Sequence, residues 1–131
     1  MKKPTPSVLI IDDNALFIDR MIGLLKEVGI QSIDKANNYH EALSKLEVLT
    51  PDIVLLDINL PGKNGVELLK KIRQSGYQCQ VIMLSNHTNE YYRRTCLELG
   101  VTHFLDKSNE FSRVSGIIKD MNFDDCISKK N

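Results

Sequence analysis

The sequence lacks tryptophan, is poor in cysteine, and has no excess of charge of either sign. Its three cysteines, Cys79, Cys96 and Cys126, have neither the spacing of a zinc site nor the even number of a disulfide framework, so we expect buried or unreactive thiols. Lysine plus arginine and aspartate plus glutamate each number 17, which gives no positive field to attract nucleic acid or an anionic membrane. Apolar runs are too short for a signal peptide or a membrane span. We therefore expect a cytoplasmic protein without direct nucleic-acid or membrane contacts.

A chain of 131 residues has the length of one domain. Hydrophobic residues make up 42% and charged residues 26%, which is typical of a soluble globular protein. The pattern divides into an N-terminal extension at 1–6, one folded domain at 7–121, and a polar C-terminal tail at 122–131.

Short apolar runs alternate with segments of helical periodicity. We predict strands at 7–11, 32–36, 52–56, 81–84 and 103–105, each followed by a helix with an apolar stripe. Gly29 and Gly100 are expected to end the first and fourth helices, and the pairs Asn38/Glu41 and Asn64/Glu67 resemble capping boxes that open the second and third. Regular alternation predicts an α/β fold with a parallel sheet and helices on both faces.

Polar residues that are able to bind a ligand or take part in a reaction lie at the ends of four predicted strands. Asp12 and Asp13 follow the first strand, Asp57 the third, Ser85 the fourth, and Lys107 comes two residues after the fifth. The carboxyl ends of parallel strands meet at one edge, where such folds bind ligands. Two carboxylates about 4 Å apart repel by roughly 4 kcal/mol in a partly screened environment, so a cation belongs among them, and Mg²⁺ prefers such hard oxygen ligands. A carboxylate, a metal and two groups able to hold phosphoryl oxygens are the parts needed for phosphoryl transfer to aspartate.

Each of these residues also has a simpler explanation when it is taken alone. Asp57 is of a type common in strand-to-helix loops, and the Asp12-Asp13 pair is able to cap the first helix. Ser85 and Lys107 are individually uninformative. The coincidence of compatible groups at four strand ends favours a functional site.

The motifs VLIIDDN, IVLLDINLPGKNGVELL, VIMLSN and FLDKS resemble those of the receiver domain of two-component response regulators, the CheY-like superfamily. The resemblance implies a flavodoxin-like (βα)5 fold with strand order 2-1-3-4-5. It implies that Asp57 accepts a phosphoryl group from a phosphohistidine of a sensor histidine kinase or phosphotransfer protein. It also implies that Mg²⁺, or Mn²⁺, is held by Asp13, Asp57 and the backbone carbonyl of Asn59, with Asp12 acting through a bound water.

The resemblance further implies a switch. Ser85 would bond the phosphoryl group and move towards it, Lys107 would bind a phosphoryl oxygen, and the Phe104 ring would turn inward. This would change the face made by the fourth helix, fifth strand and fifth helix, which binds a downstream protein effector. Tyr91 and Tyr92 either belong to that face or are an exposed and a core aromatic. Apart from assisting its own metal-dependent phosphorylation and dephosphorylation, such a domain is not an enzyme.

Three positions depart from the family pattern or add to it. Ser108 follows Lys107 where the family often has proline after a cis peptide bond, which leaves the isomer of this bond open. Asn59 and His87 occupy positions that influence hydrolysis of the aspartyl phosphate in the family, and an ordinary exposed loop histidine is the alternative for His87.

Three rival functions remain. A pseudo-receiver would bind partners without phosphorylation, which the complete acidic set with Ser85 and Lys107 disfavours. A haloacid-dehalogenase-like phosphatase would need an aspartate where Asn59 stands, and a dinucleotide-binding domain would need GxGxxG in the first turn. Because no effector follows residue 121, we expect a stand-alone receiver or one excised from a longer regulator, and the form of both termini favours the first.

Overall fold

The computed structural model describes residues 6–61, 63–86, 90–109 and 111–121, in which five strands alternate with five helices. The strands are β1 (Ser7–Ile11), β2 (Ser32–Ala36), β3 (Ile53–Asp57), β4 (Gln80–Ser85) and β5 (His103–Asp106). The helices are α1 (Ala15–Glu27), α2 (Tyr39–Leu49), α3 (Gly65–Gln74), α4 (Glu90–Glu98) and α5 (Arg113–Asp120). His87, Cys126 and the predicted tail lie outside the described residues, as does all of the predicted N-terminal extension except Pro6.

All strand pairs are parallel, and the sheet has the order β2-β1-β3-β4-β5. The prediction of a flavodoxin-like fold with order 2-1-3-4-5 is therefore confirmed. Among the described residues no helix is long and apolar enough to cross a bilayer.

The hydrophobic core lies on both faces of the sheet. β3 is buried along its whole length, and all residues of β1 and β4 except the first are buried, as expected of central parallel strands. One core cluster includes residues of α2, α3 and α4, and the other includes residues of α1 and α5. Cys79 and Cys96 are buried free thiols in the first cluster, which confirms the expectation for these two cysteines.

Helix ends follow from local hydrogen bonds. Asn38 Oδ1 accepts a bond of 2.9 Å from the N–H of Glu41, as predicted for a helix cap. The Glu41 carboxylate, however, accepts a bond of 2.7 Å from the N–H of Asn37, so the box closes one residue earlier than predicted. Gly29 and Gly100 have φ values of +91° and +90°, which suits glycine at the two predicted helix ends.

The third helix shows a second departure from the predicted capping box. Asn64 Oδ1 accepts a bond of 3.0 Å from the N–H of Glu67, as expected. The Glu67 carboxylate lies 3.5 Å from Lys70 Nζ, so it forms an ion pair along the helix.

Three strands extend one residue beyond their predicted C-terminal ends. Asp57, Ser85 and Asp106 each belong to the strand that they were expected to follow. Pairing continues past them, with a bond of 3.2 Å from Ile58 N to Leu84 O and one of 2.8 Å from Lys107 N to Ser85 O. Apolar side chains stop before the backbone ladder does, and this places the polar side chains on rigid strand ends.

Candidate functional site

Asp57 is held at the end of β3 by a close approach of two backbone segments. The N–H of Gly65, the first residue of α3, donates a bond of 2.6 Å to Ile58 O. A Cβ atom at position 65 would lie 2.9 Å from Ile58 Cα and closer still to Asp57 O. The helix therefore packs against the backbone that carries Asp57, and only glycine leaves room for this.

Three carboxylates meet at this edge of the sheet. Oxygen atoms of Asp12, Asp13 and Asp57 all lie within 4.8 Å of one another. Asp12 and Asp57 are buried, whereas Asp13 is exposed. Asp12 Oδ1 accepts a bond of 2.9 Å from the N–H of Asn14, whose own side chain caps α1 by accepting a bond from Phe17 N. The cap is thus Asn14, and the simpler reading of the acidic pair as the helix cap is wrong.

Lys107 brings a positive charge into the cluster. Its Nζ atom lies 2.6 Å from Asp12 Oδ2 and 3.5 Å from Asp57 Oδ2. Its backbone N–H donates a bond to the carbonyl of Ser85, a residue with no exposed surface, so the backbone of Lys107 is attached to the end of β4. The loop after β5 is fixed by Asp106, whose Oδ1 accepts bonds of 2.9 Å and 3.1 Å from the N–H groups of Ser108 and Asn109.

The electrostatics of the site disfavour a second buried negative charge. Burial, and then the charge on Asp12, raises the pKa of Asp57 from 3.8 to about 6, although Lys107 and the N–H of Asn59 act in the opposite direction. One ammonium group does not balance three carboxylates. An added cation would favour the ionised form of Asp57.

The donor set fits a hard divalent cation. Asp12 Oδ2 is buried and accepts no well-formed hydrogen bond from the described residues, although Lys107 Nζ is close to it. All three clustered side chains offer oxygen ligands, and exposed Asp13 keeps one side open to water. Mg²⁺ binds to such sites through one or two carboxylates and retains several waters. The residues present therefore fit Mg²⁺ or Mn²⁺.

The residues expected to carry a switch lie on the neighbouring strands. Phe104 of β5 pairs with Met83 of β4 and is 5% exposed, so it is buried. The Arg93 guanidinium on α4 lies 5.9 Å from the centre of this ring. Tyr91 is 71% exposed, whereas Tyr92 packs against the core, which agrees with the structural alternative for this pair.

Two further predicted features have different outcomes. The Lys107-Ser108 peptide bond is trans, because no cis bond occurs among the described residues. His87 lies outside that part of the chain, so its expected influence stays a prediction.

Sequence reasoning missed two aromatic residues beside the cluster. In the sequence, Phe17 and Phe111 are distinguishable only as apolar residues of helical segments. The Phe17 ring centre lies 4.4 Å from Lys107 Nζ and 5.4 Å from the centre of Phe111. Helical periodicity identifies a buried face but does not say which side chain of another element that face meets.

Comparison with known proteins gives consistent matches. The family described as the response regulator receiver domain matches residues 8–119. The transcriptional regulatory protein YesN of Bacillus subtilis is 34% identical over 129 residues, which cover 94% of this chain and 35% of YesN. The protein-glutamate methylesterase/protein-glutamine glutaminase of the same organism is 41% identical over 104 residues, which cover 76% of this chain and 29% of that protein. The chain thus spans about a third of the length of these relatives.

Solved structures agree with this match. A DNA-binding response regulator of the LuxR family from Staphylococcus aureus has a TM-score of 0.80 at 25% identity, over 86% of this chain and 95% of that one. The receiver domain of the Francisella response regulator 1452 has a TM-score of 0.74 at 25% identity, over 88% and 97% of the two chains. Since the family match over residues 8–119 includes residues of every strand and the strand order is that of CheY-like domains, this chain belongs to the response regulator receiver domain family.

Proposed function

We propose that this receiver domain accepts a phosphoryl group on Asp57 and that the modification changes which protein it binds. Receiver domains are signalling domains that bind Mg²⁺ at an acidic pocket and interact with histidine kinases and effectors. The observation that carries the proposal is the position of Asp57, a buried carboxylate with Lys107 Nζ 3.5 Å away and two further carboxylates beside it. The donor would be a phosphohistidine of a sensor histidine kinase or phosphotransfer protein.

The transfer requires ionised Asp57. One of its oxygens supplies the electron pair for the new O–P bond while the P–N bond to the donor imidazole breaks, and the pair of that bond returns to the ring nitrogen. Lys107 is close enough to pair with a phosphoryl oxygen, and the hydroxyl of Ser85 would donate to another. Asp13, Asp57 and the Asn59 carbonyl would hold Mg²⁺ or Mn²⁺, with Asp12 in the outer shell. The bound ion would neutralise the charge on the transferring oxygens.

A conformational change at Ser85 would be transmitted to the exposed face of α4, β5 and α5. Ser85 ends β4, and Phe104 lies on the adjacent strand with its ring buried. Arg93 Nη1 donates a bond of 3.4 Å to Phe104 O, so α4 is connected to the backbone of this residue. A shift of Ser85 towards the phosphoryl group would therefore alter the contacts between β5 and α4, and a downstream protein effector would bind to one of the two arrangements.

Residues next to Asp57 would determine the lifetime of the phosphorylated form. Asn59 is exposed two residues after Asp57, where its side chain is able to influence the approach of water. The proposed role of His87 predicts hydrolysis rates that differ between pH 6 and pH 8, because an imidazole changes charge in this range. Equal rates at the two pH values would remove that role.

Two rival functions make different predictions. A pseudo-receiver would use the same surfaces without accepting a phosphoryl group, and the cluster of Asp12, Asp13, Asp57 and Lys107 is the argument against it. A haloacid-dehalogenase-like phosphatase requires a second aspartate at the place of Asn59 and would turn over phosphate esters.

The test is the intact mass of the purified chain after incubation with acetyl phosphate and Mg²⁺. We expect one phosphoryl adduct, which is absent with EDTA and in the Asp57→Asn variant. Asp34→Asn, which changes an exposed aspartate of β2, is the matched control and should be modified like the wild type. An unmodified wild type that remains folded would contradict the proposal and favour the pseudo-receiver.

A further inference from the structure

The Lys107 ammonium group has an aromatic neighbour as well as two carboxylates. Nζ lies 4.4 Å from the centre of the Phe17 ring, in addition to its ion pairs with Asp12 and Asp57. The Lys107 side chain is only 9% exposed. An ammonium group over a ring face is attracted by the electrons of the ring, and the attraction grows when water is excluded.

The Phe17 ring is itself fixed by its surroundings. Phe17 is 8% exposed and lies in the first turn of α1, close to Asn14, the cap residue. Phe111 meets it at 5.4 Å with an interplanar angle of 72°, an edge-to-face arrangement that aromatic pairs favour. The guanidinium group of Arg20, which is also a residue of α1, lies 4.7 Å from the centre of the Phe111 ring. The two rings therefore join α1 to the loop that follows β5.

The uncharged Phe17 ring is able to restrict the position of the Lys107 ammonium group, which matters because a lysine side chain is long and flexible. The ion pair at 2.6 Å holds Lys107 against Asp12, but this contact must weaken when another cation or a phosphoryl group enters the cluster. The ring face attracts the ammonium group without neutralising a carboxylate. It therefore limits the positions of Nζ whether or not the acidic groups are occupied.

We propose that Phe17 is a positioning residue, whose ring, braced by Phe111, holds the Lys107 ammonium group where it meets the incoming phosphoryl oxygen. This inference depends on the proposed phosphorylation of Asp57 and assigns a further residue to that reaction. Phe17 touches neither the phosphoryl group nor Asp57 in this role, and it acts through Lys107 alone.

The first test replaces Phe17 site-specifically with phenylalanines that carry one, two and three ring fluorines. Fluorine withdraws electrons from the ring face and weakens the attraction for a cation while the side chain keeps nearly the same shape. We expect the rate of phosphorylation by acetyl phosphate to fall stepwise with each fluorine, to a total of about fivefold, with an unchanged melting temperature. A rate that does not depend on fluorine content would overturn the proposal.

Natural substitutions separate positioning from packing. Phe17→Leu should slow phosphorylation about fivefold, and Phe17→Tyr, which keeps an aromatic face, should retain most of the rate. Leu25→Ala is the packing control, because Leu25 lies in the same helix and core cluster but two turns further along α1. It should lower stability and leave the phosphorylation rate unchanged. In a Lys107→Ala background, Phe17→Leu should have no further effect on the rate.

A spectroscopic measurement does not require phosphorylation. In the unmodified wild type, the Hε protons of Lys107 should show nuclear Overhauser contacts with the Phe17 ring and an upfield ring-current shift, both lost in Phe17→Leu. Their absence in the wild type would overturn the proposed contact. A wild type that accepts no phosphoryl group would refute the proposed function and the positioning role together. A wild type that is phosphorylated but insensitive to the Phe17 substitutions would refute the positioning role alone.

Discussion

At the scale of single residues, the ionised carboxylate of Asp57 opposes folding when no cation is bound. Its pKa is raised from 3.8 to about 6, chiefly by burial, so the folded state holds a proton more tightly than the unfolded state does. A raised carboxyl pKa makes its full contribution to stability below about pH 4, and this contribution is lost as the pH rises through about 6. The buried position of Asp57 therefore lowers the stability of the metal-free protein at neutral pH.

The first prediction concerns Asp57→Asn in the absence of divalent cations. The substitution removes the buried charge and should raise the free energy of unfolding at pH 7 by about 3 kcal/mol, since the pKa of Asp57 is raised from 3.8 to about 6 and each pKa unit corresponds to about 1.4 kcal/mol. The gain should shrink towards zero at about pH 3, where Asp57 is mostly protonated in both states. Urea unfolding at the two pH values measures both quantities. Asp34→Asn should show no comparable gain at pH 7, and equal stability of Asp57→Asn and wild type there would contradict the prediction.

The second prediction concerns the metal. At ten times its dissociation constant, Mg²⁺ should stabilise the wild type by about 1.4 kcal/mol through mass action. The affinity should fall as the pH drops through about 6, because Asp57 must lose its proton to bind the ion. Asp13→Asn should abolish most of the stabilisation and change the metal-free stability little, since Asp13 is exposed. Thermal unfolding with and without Mg²⁺ is the measurement, and an undiminished metal effect in Asp13→Asn would exclude that residue as a ligand.

At the scale of elements, the junction of β3 and α3 determines where Asp57 stands. The start of α3 is pressed against the end of β3 through the bond from Gly65 N to Ile58 O. The contact is backbone to backbone, so no side-chain rearrangement relieves an added methyl group.

The third prediction is that Gly65→Ala destabilises the protein by about 2–3 kcal/mol and slows phosphorylation, because α3 must move away from the strand end. Gly23→Ala is the matched control, since a Cβ at this exposed position of α1 meets nothing within 4 Å. It should stabilise the protein by about 0.5–1 kcal/mol through helix propensity. Urea unfolding gives both values. Equal effects of the two substitutions would show that the close approach at Gly65 does not matter.

The elements also show which features the sequence encodes locally. β3 and β4 were predictable because continuous apolar runs of this length are typical of strands buried on both faces. Their last residues were misplaced because backbone pairing continues under Asp57 and Ser85, whose side chains are polar. The convergence of Asp12, Asp57 and Lys107 was predictable from parallel topology. The contact of Phe17 with Lys107 was not predictable, because it depends on how α1 packs against the loop after β5.

At the scale of the whole molecule, two thiols report on global unfolding. Burial raises the pKa of Cys79 and of Cys96 to about 11, so little reactive thiolate exists at pH 8 in the folded protein. Cys79 precedes β4 and Cys96 lies on α4, and both belong to the core cluster on the same face of the sheet.

The fourth prediction is that both thiols of a Cys126→Ser variant react with Ellman's reagent only as fast as the protein opens. At pH 8 without urea, labelling should be at least a hundredfold slower than in 6 M urea, because the folded state hides both sulfur atoms. The dependence of the rate on urea should follow the unfolding transition seen by circular dichroism. Labelling of either thiol at the unfolded rate in native buffer would contradict its burial.

The sheet order has a consequence for the protein while it is being made. Asp12, Asp57, Ser85 and Lys107 lie at the C-terminal ends of four different strands, and parallel strands pair only after the intervening helix has crossed over. A nascent chain that has left the ribosome only as far as Asp106 already carries the three clustered aspartates but not the lysine that partly balances them. Under the proposed function, the acceptor site would therefore lack its lysine during synthesis, and the domain would become competent for phosphorylation only once the fifth strand has docked.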